Sequence, residues 1–216
     1  MEKLLKYIKE NFSEGEPILV KDLKQINISY DNLRQKLKKL TDNNKLNRIS
    51  DGIYSYGSLP SSNAVIENKF IKRNNKVFGY YTKQSLFKSL GFKCKNDLDE
   101  IVTNEFSAIV REIEVAGTRI KVRHSKIKID NNNYYILQFL DLIRDLDLIK
   151  TKKYELENKL KLFIEKYKIN KNEIDKYINL YPNITYRNFY KYNIENMLIW
   201  ISKILIRKQK NAIINI

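Results

Sequence analysis

The apolar positions of the first sixty residues change period several times, and each change marks an element. Leu4, Leu5, Ile8 and Phe12 recur at helical spacing and line one side of a charged amphipathic N-terminal helix. A second, short helix is predicted over Val20–Ile26, with Leu23 and Ile26 apolar. Asn27-Ile28-Ser29 reads as a turn, with the Ser29 hydroxyl suited to cap the next helix. That third helix is predicted over residues 30–41, with Leu33, Leu37 and Leu40 sharing one buried stripe. Its far face carries Arg34, Gln35, Lys38 and Lys39. After Asn43-Asn44, the β-prone runs 46–49 and 53–56 flank Ser50-Asp51-Gly52, and Asp-Gly between such runs signals a hairpin. This order is the outline of a winged helix-turn-helix.

Residues 57–62 are small or turn-forming and include Pro60, so a boundary is placed near residue 60. Beyond it, Ser62 is read as the cap of a helix over 63–72, with Val65, Phe70 and Ile71 inward. A strand over 77–81 comes next. Thr82 is then read as the cap of a helix over 83–90 that stops at Gly91. Strands are predicted over 100–103, 108–115, 119–123 and 127–129, with Ala116-Gly117-Thr118 as a tight connection. A helix over 134–148 carries Ile136, Leu140, Ile143 and Leu146. From residue 151 the period is helical. Leu156, Leu160, Phe163 and Ile164 form one stripe, and Ile174, Tyr177, Ile178 and Tyr181 another. Pro182 precedes a last helix over 186–208. The expected class is α+β: an N-terminal winged helix-turn-helix over 1–60, then a mixed α/β domain over 61–216. That second part divides into an α+β region, 61–150, and a helical extension, 151–216.

The formal charge of +16 favours an anionic partner, but 32 lysines against 9 arginines, amid abundant Asn, Ile and Tyr, is also what an AT-rich genome encodes. Basic residues outnumber acidic ones 11 to 8 over 1–60, 16 to 11 over 61–150 and 14 to 6 over 151–216. The excess therefore grows away from the N-terminal helix-turn-helix outline. Cys94 and His124 are the only cysteine and histidine, which excludes an intrachain disulfide or a cysteine-rich zinc site. Nothing in the sequence brings the two together as a catalytic pair. The N-terminal helix is too charged for a secretory signal, and the apolar run 197–206 is too short for a membrane span. A cytoplasmic chain is the expectation.

A helix of this kind fits the DNA major groove. Arg34 and Gln35 can pair bidentately with guanine and adenine edges. Ser29, Tyr30 and Asn32 stand at the helix start, the end that meets bases, while Lys38 and Lys39 suit phosphates. Lys45 and Arg48 place charge on the wing. Asp31 shares the face and either repels phosphate or accepts from a cytosine amino group. The competing reading is a small helical domain with a solvated polar face and an unrelated hairpin.

Further motifs continue the pattern. Gly79-Tyr80-Tyr81-Thr82, Ser85-Leu86 with Leu90-Gly91, Ile101-Val102-Thr103-Asn104, Arg111-Glu112-Ile113 and residues 137–143 occur in that order. With Leu33-Arg34-Gln35, Leu37, Leu40 and Gly52-Ile53-Tyr54, this string resembles the AbiEi family over roughly residues 1–148. That family comprises antitoxins of bacterial type IV toxin–antitoxin systems linked to abortive phage infection. The resemblance implies a winged helix that represses its own operon at promoter inverted repeats. It also implies a C-terminal domain that counters a nucleotidyltransferase toxin, without requiring a stable complex with it. Asp31 departs from the basic or neutral residue common in relatives, and residues 186–216 match nothing in the family.

A second basic surface is suggested by Arg119, Lys121 and Arg123, which alternate with Ile120 and Val122. Lys126 and Lys128 repeat the alternation out of register, and a bulge near His124-Ser125 would restore one face. Two readings stand: a basic patch used in antitoxicity, or an edge strand protected by charge. Tyr177, Tyr181, Tyr186, Tyr190 and Tyr192 either stack on bases or pack a helical core, and their setting favours the core. An enzyme of the nuclease or nucleotidyltransferase type needs clustered carboxylates. Asp97, Asp99 and Glu100 fall in a loop-like stretch with no partner motif, and Asp141 and Asp145 read as surface charge beside Arg144. No glycine-rich phosphate loop is present. A non-enzymatic chain with no cofactor and no metal is expected. The alternative to an antitoxin is a stand-alone winged-helix repressor.

Overall fold

The computed structural model describes residues 2–93 and 98–214, and side chains throughout except at 24, 25 and 205–214. Cys94 and Asp97 lie outside the described residues.

Helix α1 (Glu2–Asn11) buries Leu4 and Ile8. Strand β1 (Ile18–Leu19) leads into a 3-10 segment, Val20–Ile26, that ends on Asn27 in the left-handed region. Helix α2 (Tyr30–Asp42) buries Leu33, Leu37 and Leu40. These close a core with Leu4, Ile8, Leu23, Leu46 and Tyr54. Ser29 does hold the N-cap position, but its hydroxyl makes no capping bond. The exposed side chain is left to water, and only the Ser29 carbonyl serves, accepting from the Leu33 amide at 2.9 Å. Strands β2 (Asn47–Ser50) and β3 (Ile53–Ser55) form the hairpin, with a register shift between Arg48 and Ser50. Gly52 closes it at φ +69°, a conformation other residues resist. Strand β3 lies between β1 and β2 in the sheet.

Helix α3 (Ser62–Phe70) starts and ends earlier than expected. Ser61, not Ser62, caps it by accepting from the Ala64 amide, while Ser62 donates to the Ala116 carbonyl at 2.7 Å. The helix cannot reach residue 72, because β4 (Lys72–Arg73) and β5 (Lys76–Val77) pair around Asn74 and Asn75, both at positive φ.

Next comes a four-stranded sheet in the order β6-β7-β9-β8, built from β6 (Gly79–Thr82), β7 (Asp99–Thr103), β8 (Arg111–Val115) and β9 (Thr118–His124). β7 and β9 run parallel, and the other pairs are antiparallel. Gly79 is forced by close approach: a Cβ there would stand 2.0 Å from the Phe70 carbonyl oxygen. β7 bears out the strand expected over 100–103 and extends it to Asp99, so Asp99 and Glu100 lie on a strand and not in a loop-like stretch. The expected strand 127–129 does not form. The Asn104 side chain takes up the backbone of Ile129 instead, donating to its carbonyl at 2.7 Å and accepting from its amide at 3.0 Å. Lys126 and Lys128 are exposed beyond the end of β9, and no bulge brings them back to its face.

Helix α4 (Lys83–Ser89) begins without a side-chain cap from Thr82. Helix α5 (Tyr134–Arg144) is apolar nearly all round and runs through the middle of the protein, with Ile136, Leu137, Phe139, Leu140, Leu142 and Ile143 buried. A 3-10 turn, Leu146–Leu148, ends the stretch expected to be one helix. Around α5 pack α6 (Lys153–Tyr167), α7 (Lys171–Tyr177), α8 (Asn183–Lys191) and α9 (Ile194–Ile214). The single helix expected over 186–208 is two, α8 and α9. Asn193 at φ 52° breaks them, and α8 already starts beside Pro182. Tyr177, Tyr181, Tyr186 and Tyr192 pack on this core, while Tyr190 is exposed. Met197, Leu198 and Ile201 join the core, leaving Ile199 and Trp200 half exposed.

A further cluster crosses the turn at 57–62, where Leu19 and Ile53 pack with Val65, Ile66 and Phe70. Among the described residues, no helix is long and apolar enough to cross a membrane.

Candidate nucleic-acid interface

Burying Leu33, Leu37 and Leu40 turns the opposite face of α2 to solvent, as a 3.6-residue period requires. Tyr30, Asn32, Arg34, Gln35, Lys38 and Lys39 are all exposed, with Tyr30 58% accessible. The Arg34 guanidinium lies 5.8 Å from the Tyr30 ring, close enough for a cation–π contact that orders it in the first turns of the helix.

The hairpin stands beside this face. Between them opens a groove of about 330 Å³, lined by Tyr30, Arg34, Gln35, Lys38 and Arg48 among others. Lys39, Asn32, Ser29 and Lys45 are exposed but do not line it. Asp42 and Asp51 also line the groove, so its field is mixed rather than purely positive. Arg48 is held by Asp51 at 3.2 Å across the hairpin turn. Both groups are exposed, so this pair is weak and a phosphate can displace it. Asp31 is exposed on the first turn of the same helix.

The second basic surface is arranged differently. Ile120 and Val122 are buried under β9, and Arg119, Lys121 and Arg123 share its other face. Each meets a carboxylate. Arg119 and Lys121 reach Glu112 at 3.1 and 3.5 Å, and Arg123 reaches Asp141 at 3.2 Å and Glu100 at 3.7 Å. The three cations therefore sit in internal pairs, while Lys126 and Lys128 are exposed elsewhere.

Arg123 points to a feature that residue patterns missed. Asp141 is buried rather than on the surface, with its side chain 3% accessible. It accepts from Arg144 at 2.6 Å, from Arg123 at 3.2 Å and from the Tyr80 hydroxyl at 3.3 Å. Asp145, also buried, takes the rest of the Arg144 fork. Burial raises the Asp141 pKa, and the charges of Arg144 and Arg123 oppose that rise. Glu100 joins the group through Arg123 at 3.7 Å and brings in Lys83 at 2.7 Å. Three carboxylates and three cations thus link α4, β7 and β9 to α5, and the Tyr80 hydroxyl adds β6. The available signal was the apolar run on both sides of Asp141, which marks a fully buried helix. His124 is exposed with Nδ1 beside the Phe106 carbonyl, and among the described residues no group of His, Cys, Asp and Glu could hold a metal ion.

No family model matches this chain, and no characterised protein matches it. The resemblance to the AbiEi antitoxins therefore rests on the quoted motifs alone.

Proposed function

We propose that residues 1–60 form a winged helix-turn-helix that binds double-stranded DNA, with α2 as the reading helix and the β2–β3 hairpin as the wing. One observation carries this reading: Arg34, Gln35 and Lys38 leave α2 on the side where Arg48 of the hairpin meets them across a shared groove. The element order supports it, since a helix, a strand, a short helix, a longer helix and a hairpin succeed one another. Arg34 and Gln35 read base edges, and Tyr30, Asn32 and Ser29 border them at the helix start. Lys38, Lys39, Lys45 and Arg48 hold phosphates.

By the motif resemblance, the DNA is the protein's own promoter with inverted repeats, and the chain is a non-enzymatic antitoxin against a nucleotidyltransferase toxin. A stand-alone repressor is the second reading. It gains from the internal pairing of Arg119, Lys121 and Arg123, which leaves less free charge on the surface assigned to antitoxicity.

The test is fluorescence anisotropy of the full chain on its upstream DNA against a scrambled duplex. Arg34→Ala with Gln35→Ala removes two bidentate contacts of about 1–3 kcal/mol each, so specific binding is expected to fall roughly 100-fold while scrambled binding barely changes. Lys38→Ala is expected to weaken both duplexes alike and reduce the salt slope by about one. Undiminished operator affinity in the double variant would overturn the assignment of α2. Growth rescue on co-expression with the neighbouring gene product separates antitoxin from plain repressor.

A further inference from the structure

A groove larger than the one beside α2 lies outside the candidate DNA reader. It opens between α4, α5 and α6, with a volume of about 510 Å³, inside the range of about 300–1,000 Å³ typical of small-molecule sites. Its apolar wall includes Leu86, Phe163 and Tyr167, the two rings 4.8 Å apart and tilted by 45°. Gln138 crosses the floor, donating from its amide nitrogen to the Tyr81 carbonyl at 2.8 Å.

The charge of this groove is one-sided. Lys159 and Lys166 both line it and stand seven residues apart on α6, about 10 Å along the axis. Among the described residues, no carboxylate lines it. Lys159 Nζ rests on the Leu90 carbonyl at 2.5 Å and lies 4.8 Å from the Phe92 ring. Lys166 Nζ lies 4.9 Å from the Tyr167 ring. Neither makes an ion pair among the described residues, although Lys83, Lys171 and Lys191 elsewhere do. Two cations over an aromatic and aliphatic wall, with amide and hydroxyl groups between them, suit one chemistry. That chemistry is a flat apolar body ending in an acidic group.

We propose that this groove binds a small organic anion with an aromatic body, the rings packing against Phe163 and Tyr167 and the acidic group meeting Lys166 or Lys159. The site is separate from residues 1–60 and does not depend on the DNA-binding reading.

The probe is 8-anilinonaphthalene-1-sulfonate, titrated by fluorescence into the full chain. N-phenyl-1-naphthylamine, the same rings without the sulfonate, is the comparison. Saturable one-to-one binding of the sulfonate is expected, weakened about tenfold or more by Lys159→Gln with Lys166→Gln. The uncharged probe is expected to bind equally to both proteins. Lys126→Gln with Lys128→Gln, exposed lysines outside the groove, is expected to leave the sulfonate affinity unchanged. The result that overturns the site is an affinity indifferent to the groove lysines, or one lowered as much by the distant pair, which reports only general attraction to a basic chain. Amide shifts give a second reading: movement centred on Ser89 and Gln138 supports the site, and movement centred elsewhere overturns it. Should loss of the Leu90 contact unfold the double variant, Lys166→Gln alone carries the same comparison.

Discussion

Asp141 binds three partners from three elements while fully enclosed: Tyr80 from β6, Arg123 from β9 and Arg144 from its own helix. Replacing it by alanine takes one carboxylate from each of two guanidinium groups, Arg144 keeping Asp145 and Arg123 keeping Glu100, and removes the acceptor of the Tyr80 hydroxyl. Because both cations keep a second carboxylate, the cost falls below that of an uncompensated buried charge, at about 2–3 kcal/mol. For a chain of this size that corresponds to a fall in Tm on the order of 10 °C. A thermal melt of Asp141→Ala that stays within about 2 °C of wild type would show the network to be dispensable. The sign of the pH effect comes from burial, which holds the Asp141 pKa above its usual 3.8. The native state then keeps the proton longer than the unfolded chain. The proton-linked part of its contribution, distinct from its hydrogen bonds, is fully present below 3.8 and is lost as pH rises through its folded value. The sequence hid this role, because an aspartate next to an arginine looks alike on a surface and in a core. Only the apolar residues around all sides of the helix tell them apart.

At the scale of elements, periodicity located the buried stripes of α1, α2, α5 and α6, because each repeats every three or four residues, though α5 stops four residues short of the expected 148. Misplacements came where one side chain replaced a backbone partner. Asn104 takes the bonds that a strand at 127–129 would need, and Asn193 turns the chain where a continuous helix was expected. The groove between α2 and the hairpin was legible as a set of exposed residues, but not the Arg48–Asp51 pair within it. Another such local contact gives a test. Asp147, in the turn after α5, accepts from Lys191 at 2.6 Å and from the Tyr192 hydroxyl at 2.8 Å at the end of α8. The hydrogen bond from Lys191, then that from Tyr192, lowers its pKa below 3.8. A depressed carboxyl contributes stability above its unfolded value and loses it as pH falls through its folded value. Asp147→Asn is therefore expected to melt below wild type at pH 7, with the gap closing as the pH falls beneath 3.8. A gap of constant size from neutral to strongly acidic buffer would mean that the carboxylate charge plays no part.

For the molecule as a whole, the decisive contacts cross the turn at 57–62. Small residues there announce a change of direction, but composition cannot show that Leu19 and Ile53 on one side meet Val65, Ile66 and Phe70 on the other. Charges reinforce the join. Asp22 pairs with Arg73 at 3.1 Å, and Lys21 pairs with Glu105. Burial raises the Asp22 pKa, and Arg73 is the first charge that offsets it. If α2 reads DNA, the rest of the protein is thus fastened to the reader by a shared core and by one ion pair, Asp22–Arg73, little exposed to water. Two segments joined in this way should open together. Arg73→Ala leaves Asp22 without its main partner and removes the cation that sits 5.1 Å from the Phe78 ring, at a cost of about 3 kcal/mol. Hydrogen exchange then decides between a joined and a hinged molecule. In the joined case the amides of Leu33 and Leu37 speed up by the same factor as those of Val65 and Ile66, because one opening exposes all four. If only Val65 and Ile66 respond, the cost stays on one side of the turn and the two parts unfold independently. A ligand held between α4 and α6 could then reach α2 by no route through this join.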